Sequence, residues 1–291
     1  MGDARRNGQG IESVIRHHFT IDVEEHFQVS AFEPYVPREC WSDLESRVER
    51  NLDVLLELLD EHAVRGTFFI LGWLAERNPN VVARVAAGGH EVASHGWEHR
   101  RVGLLTPDTF RSSVRRSKHV LEQQAQRPVL GYRAPSFSIL PGSEWALDIL
   151  LEEGYRYDSS LFPITRRGYG YANGKRDPHW IDRPAGRLAE VPPTTVRRLG
   201  FNLPAAGGAY FRLFPYAWTA LGLRDAAARG QPATFYLHPW ELDPDQPRMT
   251  VPLPPRLRHY TGLRATLPRL RRLLAEFPFT SIEEYVRDLA S

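Results

Sequence analysis

Short apolar runs alternate with amphipathic segments along most of the chain. Residues 19–23 and 66–71 are rich in β-branched and aromatic residues, which is typical of buried strands. Leucines recur at helical spacing in residues 42–63, where Ser42 and Glu45 suggest a capping box at the start of the helix. The same reasoning predicts further strands at 90–94, 129–133, 155–158, 188–191 and 233–238, and helices at 79–87, 106–126, 143–153, 215–228, 263–276 and 281–290.

A strand followed by a helix, repeated about seven times, indicates an α/β fold. We expect a parallel sheet of about seven strands with helices outside, curled into a (β/α) barrel. Residues 159–187 lack a period and predict a long loop, and residues 239–255 are proline-rich and irregular. No domain boundary interrupts the strands, so we expect one domain over residues 16–290 after a disordered leader at residues 1–15.

Composition excludes several classes of protein. The 291 residues are 42% hydrophobic and 25% charged, and the net charge of +2 is too small to indicate nucleic acid or a membrane surface as partner. One cysteine, Cys40, excludes an internal disulfide framework. The polar N-terminus has no signal peptide, and no apolar run is long enough to cross a membrane. We therefore expect a cytoplasmic protein, with action at the inner membrane face left open.

Two histidines, His95 and His99, stand four residues apart just after the strand at 90–94. If the chain turns helical there, the two imidazoles lie on one face and can share one metal ion. A catalytic zinc ion usually has three protein ligands, so a further ligand is needed. The candidate is the acidic stretch Asp22-Val23-Glu24-Glu25 after the first strand. A surface histidine pair without metal is the plainer alternative.

Polar side chains recur where predicted strands end. Asp22, His95, Arg133, Asp158 and His238 each come at or just after the end of such a strand. In parallel α/β folds, these ends meet on one side of the sheet. Acids, histidines and an arginine in one place suit metal-assisted hydrolysis, in which a carboxylate accepts a proton and a histidine returns one. Taken singly, Arg133 could form a surface salt bridge, Asp158 a turn and His238 part of the core.

The order of these segments resembles that in the polysaccharide deacetylases of carbohydrate esterase family 4, the NodB-homology fold. It is most similar to the branch encoded in exopolysaccharide loci linked to the exosortase/PEP-CTERM system. The resemblance covers roughly residues 16–289. The matching segments, in chain order, are Thr20–Glu25, Arg65–Gly72, His95–His99, Arg133–Pro135, Asp158 and Leu237–His238.

The resemblance implies an irregular barrel and a metal-dependent N-deacetylase acting on N-acetylated sugars. Asp22 would be the general base and His238 the general acid that protonates the leaving amine. Arg133 would pair with and orient Asp22, and Asp158 would help to hold this charged network. A backbone amide near Ser136 would stabilise the oxyanion together with the metal.

The metal ligands implied by the resemblance are His95, His99 and a carboxylate from the first motif. That motif departs from the common form, because Val23 occupies the usual position of the acidic ligand. A strand alternates faces, so Asp22 and Glu24 point the same way. We therefore assign the third ligand to Glu24, with Glu25 as the second choice. The donor set suits zinc, and also cobalt, nickel or manganese.

Two other functions stay open at this point. The same fold could hydrolyse a small, non-sugar cyclic amide, which the divergent first motif would allow. The chain could also be a non-catalytic sugar-binding protein on a retained fold.

Overall fold

Strands and helices alternate in residues 14–166 and 169–290, which a computed structural model describes. Residues 1–13 of the predicted leader lie outside this described part. The strands are β1 His17–Val23, β2 Thr67–Ile70, β3 Glu91–Ser94, β4 Gly131–Tyr132, β5 Tyr157–Asp158, β6 His179–Arg183, β7 Gly186–Glu190, β8 Thr195–Arg198, β9 Phe201–Pro204, β10 Thr234–Leu237 and β11 Phe279–Thr280. The helices are α1 Val48–Glu61, α2 Gly72–Arg77, α3 Pro79–Ala87, α4 Pro107–Ala125, α5 Trp145–Glu152, α6 Gly208–Leu213, α7 Tyr216–Ala228, α8 Leu253–Tyr260, α9 Leu263–Glu276 and α10 Ile282–Ala290.

One large, curled sheet organises the chain, in the order β10-β1-β2-β3-β4-β5-β7-β6. The seven strands from β10 to β7 pair in parallel, whereas β6 is antiparallel to β7. Strand β11 adds a short parallel pairing to β1. The predicted α/β barrel of about seven parallel strands is therefore confirmed.

The gap between β7 and β10 is bridged by irregular backbone. The Thr194 amide donates to the Thr234 carbonyl at 3.2 Å, and the Tyr236 amide donates to the Ala206 carbonyl at 2.8 Å. Gly207 forms an isolated parallel bridge with Tyr236. These contacts make the barrel irregular, because the segment that leads into α6 is held against β10 without becoming a strand.

The first helix begins later than the leucine spacing suggests. Residues 38–43 form a 3₁₀ turn, and α1 starts only at Val48, so the predicted capping box of Ser42 and Glu45 is wrong. Glu25 caps the helix instead: its carboxylate accepts from the Arg47 amide at 3.1 Å and the Val48 amide at 3.2 Å. A carboxylate here also suits the positive end of the helix dipole.

The predicted long loop at residues 159–187 is only partly correct, because the hairpin β6–β7 begins at His179. Sequence reasoning also missed the hairpin β8–β9 and helix α8, which begins within the proline-rich stretch. Short strands with mixed polar and apolar residues give little periodic signal, and Pro252 precedes α8 as its N-cap.

No helix in residues 14–166 and 169–290 has the length and apolar content needed to cross a bilayer.

Gly207 offers a test of the irregular closure. Its φ is 135°, and a Cβ placed on it would lie 1.7 Å from the Tyr236 carbonyl oxygen. Gly186 has a φ of 136°, but a Cβ there would meet nothing within 4 Å. We expect Gly207→Ala to lower the free energy of unfolding by about 3 kcal/mol or more, because it adds a backbone clash to the strain. Gly186→Ala should cost about 1 kcal/mol, from strain alone. Equal losses in denaturant unfolding would show that the approach to β10 is not tight.

Candidate active site

The carboxyl ends of the central strands open into one cavity of about 300 Å³. Asp22 and Glu24 reach it from β1, His95 and His99 from the loop after β3, and His238 from the end of β10. Arg133, after β4, lies beneath the cavity and is fully buried. The arrangement follows from the parallel sheet, which places all these strand ends on the same side.

Glu24, His95 and His99 form a compact, buried cluster. One ligand atom from each lies within 4.8 Å of the others. The His99 Nε2 atom is 2.8 Å from Glu24 Oε2, yet this oxygen accepts no well-angled hydrogen bond from any described residue. A buried carboxylate oxygen without a donor, beside two imidazoles, fits a divalent cation held by two nitrogens and one oxygen.

The loop that carries the two histidines is not the helical turn that the sequence analysis considered. Gly96 has a φ of 77° and His99 a φ of 54°, so the backbone turns through the left-handed region. The amides of Gly72 and Trp73, at the start of α2, donate to the carbonyls of Gly96 and Trp97, each at 2.9 Å. The tight loop nevertheless brings the two imidazole rings to 5.4 Å, between centroids.

His95 is oriented by the strand next to its own. Its Nδ1 atom lies 2.8 Å from the Arg133 carbonyl oxygen, which can only accept a hydrogen bond. The Nδ1 atom therefore carries the proton, and Nε2 is left with a free lone pair. Burial lowers the pKa of His95 to about 4, which keeps the ring neutral, as a metal ligand must be.

Glu24 is oriented by Trp240, a residue that the sequence analysis did not single out. The indole nitrogen of Trp240 donates to Glu24 Oε1 at 3.1 Å. Burial alone would raise the pKa of Glu24, but the His99 and His238 rings outweigh it and lower the pKa to about 2. Glu25 points away, into the N-terminus of α1, so the second choice for the ligand is not part of this cluster.

Asp22 forms a buried, hydrogen-bonded ion pair with Arg133. The Arg133 Nη1 atom donates to Asp22 Oδ1 at 2.6 Å and to the Thr20 hydroxyl at 2.8 Å. The Arg133 guanidinium also stacks over the Phe69 ring, with its carbon 4.1 Å from the ring centroid. These contacts leave Asp22 Oδ2 facing the cavity, 4.0 Å from His238 Nε2.

Asp158 lies below this network rather than in it. Its carboxylate accepts from the Ser160 hydroxyl at 2.6 Å and from the Ser160 amide at 3.1 Å, as in the turn alternative. The side-chain partners of Arg133 are Thr20, Asp22 and Ser159. Asp158 therefore makes no direct hydrogen bond to Arg133 in the described part of the chain. It is connected to the charged network through its neighbour Ser159, so any part it plays in holding that network is indirect.

Glu190 lies directly across from Asp158, on β7, and both are fully buried. Burial raises the pKa of Asp158 to about 6. Burial and the nearby Asp158 carboxylate raise the pKa of Glu190 well above its ordinary value. A neutral Glu190 can donate a hydrogen bond to Asp158, which avoids two adjacent buried charges. The pair therefore places at most one negative charge near the segment after β5, where Ser159 accepts from Arg133.

His238 has a partner that sequence reasoning missed. Glu241 accepts from the His238 Nδ1 atom at 2.7 Å and from the His238 amide at 3.1 Å. Burial alone would lower the pKa of His238, but the carboxylates of Glu24, Glu241 and Asp22 raise it to about 9. The ring is therefore protonated near neutral pH, and its Nε2 atom faces the cavity, 3.6 Å from Glu24 Oε1.

Arg212 completes this second buried pair. Its Nε atom donates to Glu241 Oε2, and its Nη1 atom donates to the His259 carbonyl at 3.0 Å. Burial alone would raise the pKa of Glu241, but Arg212 and His238 lower it to about 2. An acid three residues after His238 is a signal that the sequence did carry. Arg212 carried no such signal, because it lies on α6, far from His238 in the sequence.

The outer wall of the cavity combines hydroxyl groups and aromatic rings. Ser136, near which we predicted an oxyanion amide, has a φ of 55°, and its hydroxyl lies 2.6 Å from that of Ser30. The Tyr169 and Tyr210 hydroxyls are 2.7 Å apart. Phe137 and Tyr236 also line the wall. Rings and hydroxyls together suit a sugar, which presents both apolar faces and polar edges.

Comparisons with known proteins divide the chain into two matched regions. Residues 41–157 match the family model described as polysaccharide deacetylase, and residues 159–287 match the domain of unknown function DUF3473. Both matched regions contribute to the cavity: His95 and His99 come from the first, and His238 from the second.

Two curated relatives are similar to part of the chain. A peptidoglycan-N-acetylglucosamine deacetylase from Bacillus cereus is 32% identical over 95 residues, which is 32% of this chain and 34% of that protein. A chitooligosaccharide deacetylase from Rhizobium leguminosarum bv. trifolii is 49% identical over 67 residues, which is 23% of this chain and 31% of that protein. The matches therefore span about a third of the length of these relatives.

The fold has a close counterpart among solved structures. The crystal structure of a candidate polysaccharide deacetylase from Mycobacterium smegmatis superposes with a TM-score of 0.60 at 21% identity, covering 94% of this chain and 89% of the other. The chain therefore carries a polysaccharide deacetylase domain of the NodB-homology, carbohydrate esterase family 4 type, followed by the domain of unknown function DUF3473.

Proposed function

We propose that this chain is a metal-dependent N-deacetylase, which removes acetyl groups from amino sugars of a polysaccharide or its lipid-linked precursor during exopolysaccharide biosynthesis. The observation that carries the proposal is one cavity holding Glu24, His95 and His99 together with Asp22 and His238. The substrate class is supported by the two relatives, whose names specify N-acetylglucosamine in peptidoglycan and chitooligosaccharides.

Glu24, His95 and His99 would hold the metal, which we propose is zinc. A bound zinc ion lowers the pKa of water and polarises a carbonyl group, which is the chemistry that amide hydrolysis needs. The chain supplies the conditions for such an ion: two imidazoles, one carboxylate, and outer partners that fix two of the three ligands.

Asp22 would act as the general base. Arg133 occupies its Oδ1 atom, so the Oδ2 atom is free to accept the proton that water loses as it attacks the acetamide carbonyl carbon. The hydrogen bond from the buried Arg133 also fixes the orientation of the Asp22 carboxylate. A backbone amide near Ser136, which lines the cavity, would stabilise the negatively charged oxygen of the tetrahedral intermediate.

His238 would act as the general acid. Glu241 holds the Nδ1 side of the ring, so the Nε2 proton points into the cavity. When the carbon–nitrogen bond breaks, this proton would go to the departing nitrogen, and the products would be acetate and a free amino sugar. Asp22 Oδ2 and His238 Nε2 are 4.0 Å apart, so no atom fits between them, but both can reach one amide group that lies above them in the cavity.

The proposal is tested by acetate release from N-acetylated chitooligosaccharides. We expect release by the purified chain, its loss after chelation, and its return on addition of zinc. Asp22→Asn should lower kcat by roughly 10²- to 10⁴-fold, because the base is removed while the shape is kept. Release that survives chelation, or cleavage of small cyclic amides in preference to the sugars, would contradict the proposal.

The identity of the third ligand is tested by two neighbouring glutamates. Glu24→Gln should weaken zinc binding by more than the roughly 10- to 100-fold that loss of an outer partner costs. Glu25→Gln is the matched control: it should retain zinc and lower the free energy of unfolding by about 1 kcal/mol, because it disturbs the cap of α1. Metal content after dialysis and denaturant unfolding measure both effects. Loss of zinc in the Glu25 variant alone would reverse the assignment.

The role of Glu241 is tested by Glu241→Gln. We expect kcat to fall about 10- to 100-fold with zinc content unchanged, because His238 loses the carboxylate that keeps it protonated and oriented. Asp243→Asn is the matched control, since this nearby acid pairs with Arg47 instead and should leave kcat unaltered. A change in KM alone, or an equal loss of kcat in both variants, would show that Glu241 does not act on His238.

A further inference from the structure

The two halves of the chain carry opposite charge, although the whole chain is nearly neutral. Residues 1–158 contain 18 Arg and Lys against 24 Asp and Glu, whereas residues 159–291 contain 19 against 11. The net charges are −6 and +8. Such asymmetry is typical of proteins with a polyanionic partner on one side. The total of +2 hides this separation.

The hairpin β8–β9 presents an apolar tip beside basic residues. Leu199 is 97% exposed and Phe201 69% exposed, which is unusual for such large side chains. Arg197 and Arg198 precede the tip and are exposed, and no carboxylate in the described part of the chain pairs with either. Acidic residues are absent from the sequence of residues 191–224.

Helix α8 repeats this combination. Leu253 and Leu257 are exposed on it, alongside Arg256 and Arg258. The sequence of residues 246–275 contains seven arginines and no acid. Eleven large hydrophobic side chains are exposed in the described residues, and seven of them fall between positions 199 and 257: Leu199, Phe201, Leu203, Leu213, Phe214, Leu253 and Leu257.

Helices α6 and α8 line the candidate active-site cavity, and the hairpin β8–β9 precedes α6 in the chain. Arg258, on α8, lines the cavity directly. Arg212, on α6, donates to the carbonyls of Arg258 and Thr261, which joins the end of α6 to α8. Strand β9 leads within a few residues to Gly208, another residue of the cavity wall. The exposed leucines and arginines of α8 therefore lie at the cavity, and those of the hairpin β8–β9 are connected to the cavity wall through the segment that leads to Gly208.

We propose that this surface, made of residues 197–203, 213–214 and 253–258, docks on a membrane rich in anionic lipids. Arginines bind lipid phosphates, while leucine and phenylalanine side chains enter the boundary between headgroups and acyl chains. Arginines alone would suit a nucleic acid, but that partner gives no reason for exposed Leu199 and Phe201. The inference goes beyond the proposed function, since it holds for any amide hydrolysed in the cavity. It would place the cavity mouth next to a substrate anchored in the membrane.

The test is flotation of the full chain with vesicles of phosphatidylcholine alone or of phosphatidylcholine mixed with phosphatidylglycerol. We expect binding to the mixed vesicles that weakens with added salt, and little binding to the neutral ones. Each arginine contributes roughly fivefold, so Arg197→Gln with Arg198→Gln should weaken binding about 10- to 30-fold. Leu199→Ser with Phe201→Ser should weaken it at all salt concentrations, because the lost contribution is apolar.

The matched control is Arg115→Gln with Arg116→Gln, an adjacent arginine pair exposed on α4 in the acidic half. It should bind mixed vesicles like the unaltered chain. Both hairpin variants should keep their unfolding transition and their acetate release from a water-soluble substrate, which separates a failure of this inference from a failure of the proposed function. Equal affinity for both kinds of vesicle, hairpin variants that bind normally, or a dimer that dissociates in the Leu199 and Phe201 variant would each overturn the inference.

Discussion

The buried guanidinium of Arg133 links the parts of the candidate active site. It donates to Thr20 and Asp22 on β1 and to Ser159 after β5, while the backbone carbonyl of the same residue holds His95. A fully buried charge is tolerated only with partners that satisfy its donors. The position of the proposed base and the tautomer of a proposed metal ligand therefore depend on one residue. A shift of Asp22 would remove a partner of the buried guanidinium, and the other tautomer of His95 would place two acceptors against each other.

A second buried ion pair does the same on the opposite side of the cavity. Arg212 and Glu241 neutralise each other, and Glu241 in turn holds His238. The first pair lies in the region that matches polysaccharide deacetylases and in the strand before it, whereas the second lies wholly in the region that matches DUF3473. The proposed acid therefore depends on the second region, which closes the barrel against β10 through Ala206 and Gly207. DUF3473 would thus supply half of the catalytic apparatus as well as the entrance.

The distribution of charge matters more here than its sum. Negative charge concentrates in the half that holds Asp22 and Glu24, and positive charge in the half that carries the hairpin β8–β9 and helix α8. A divalent cation at the proposed site would offset part of the former, and an anionic lipid surface would offset part of the latter. The two halves are consistent with an enzyme that meets its substrate at a charged interface.

The amino-acid pattern alone predicted the parallel barrel and most of the candidate site. Apolar runs followed by amphipathic helices specify a parallel sheet, and Asp22, His95, His99, Arg133 and His238 are all found at strand ends because parallel strands end on one side. The choice of Glu24 over Glu25 followed from strand alternation, and Glu25 proved to cap α1. Three contacts became visible only in the folded chain: Trp240 donates to Glu24, Arg212 neutralises Glu241, and Asp158 lies across from Glu190. Those contacts join segments distant in the chain, and local periodicity carries no information about which buried polar groups will satisfy one another.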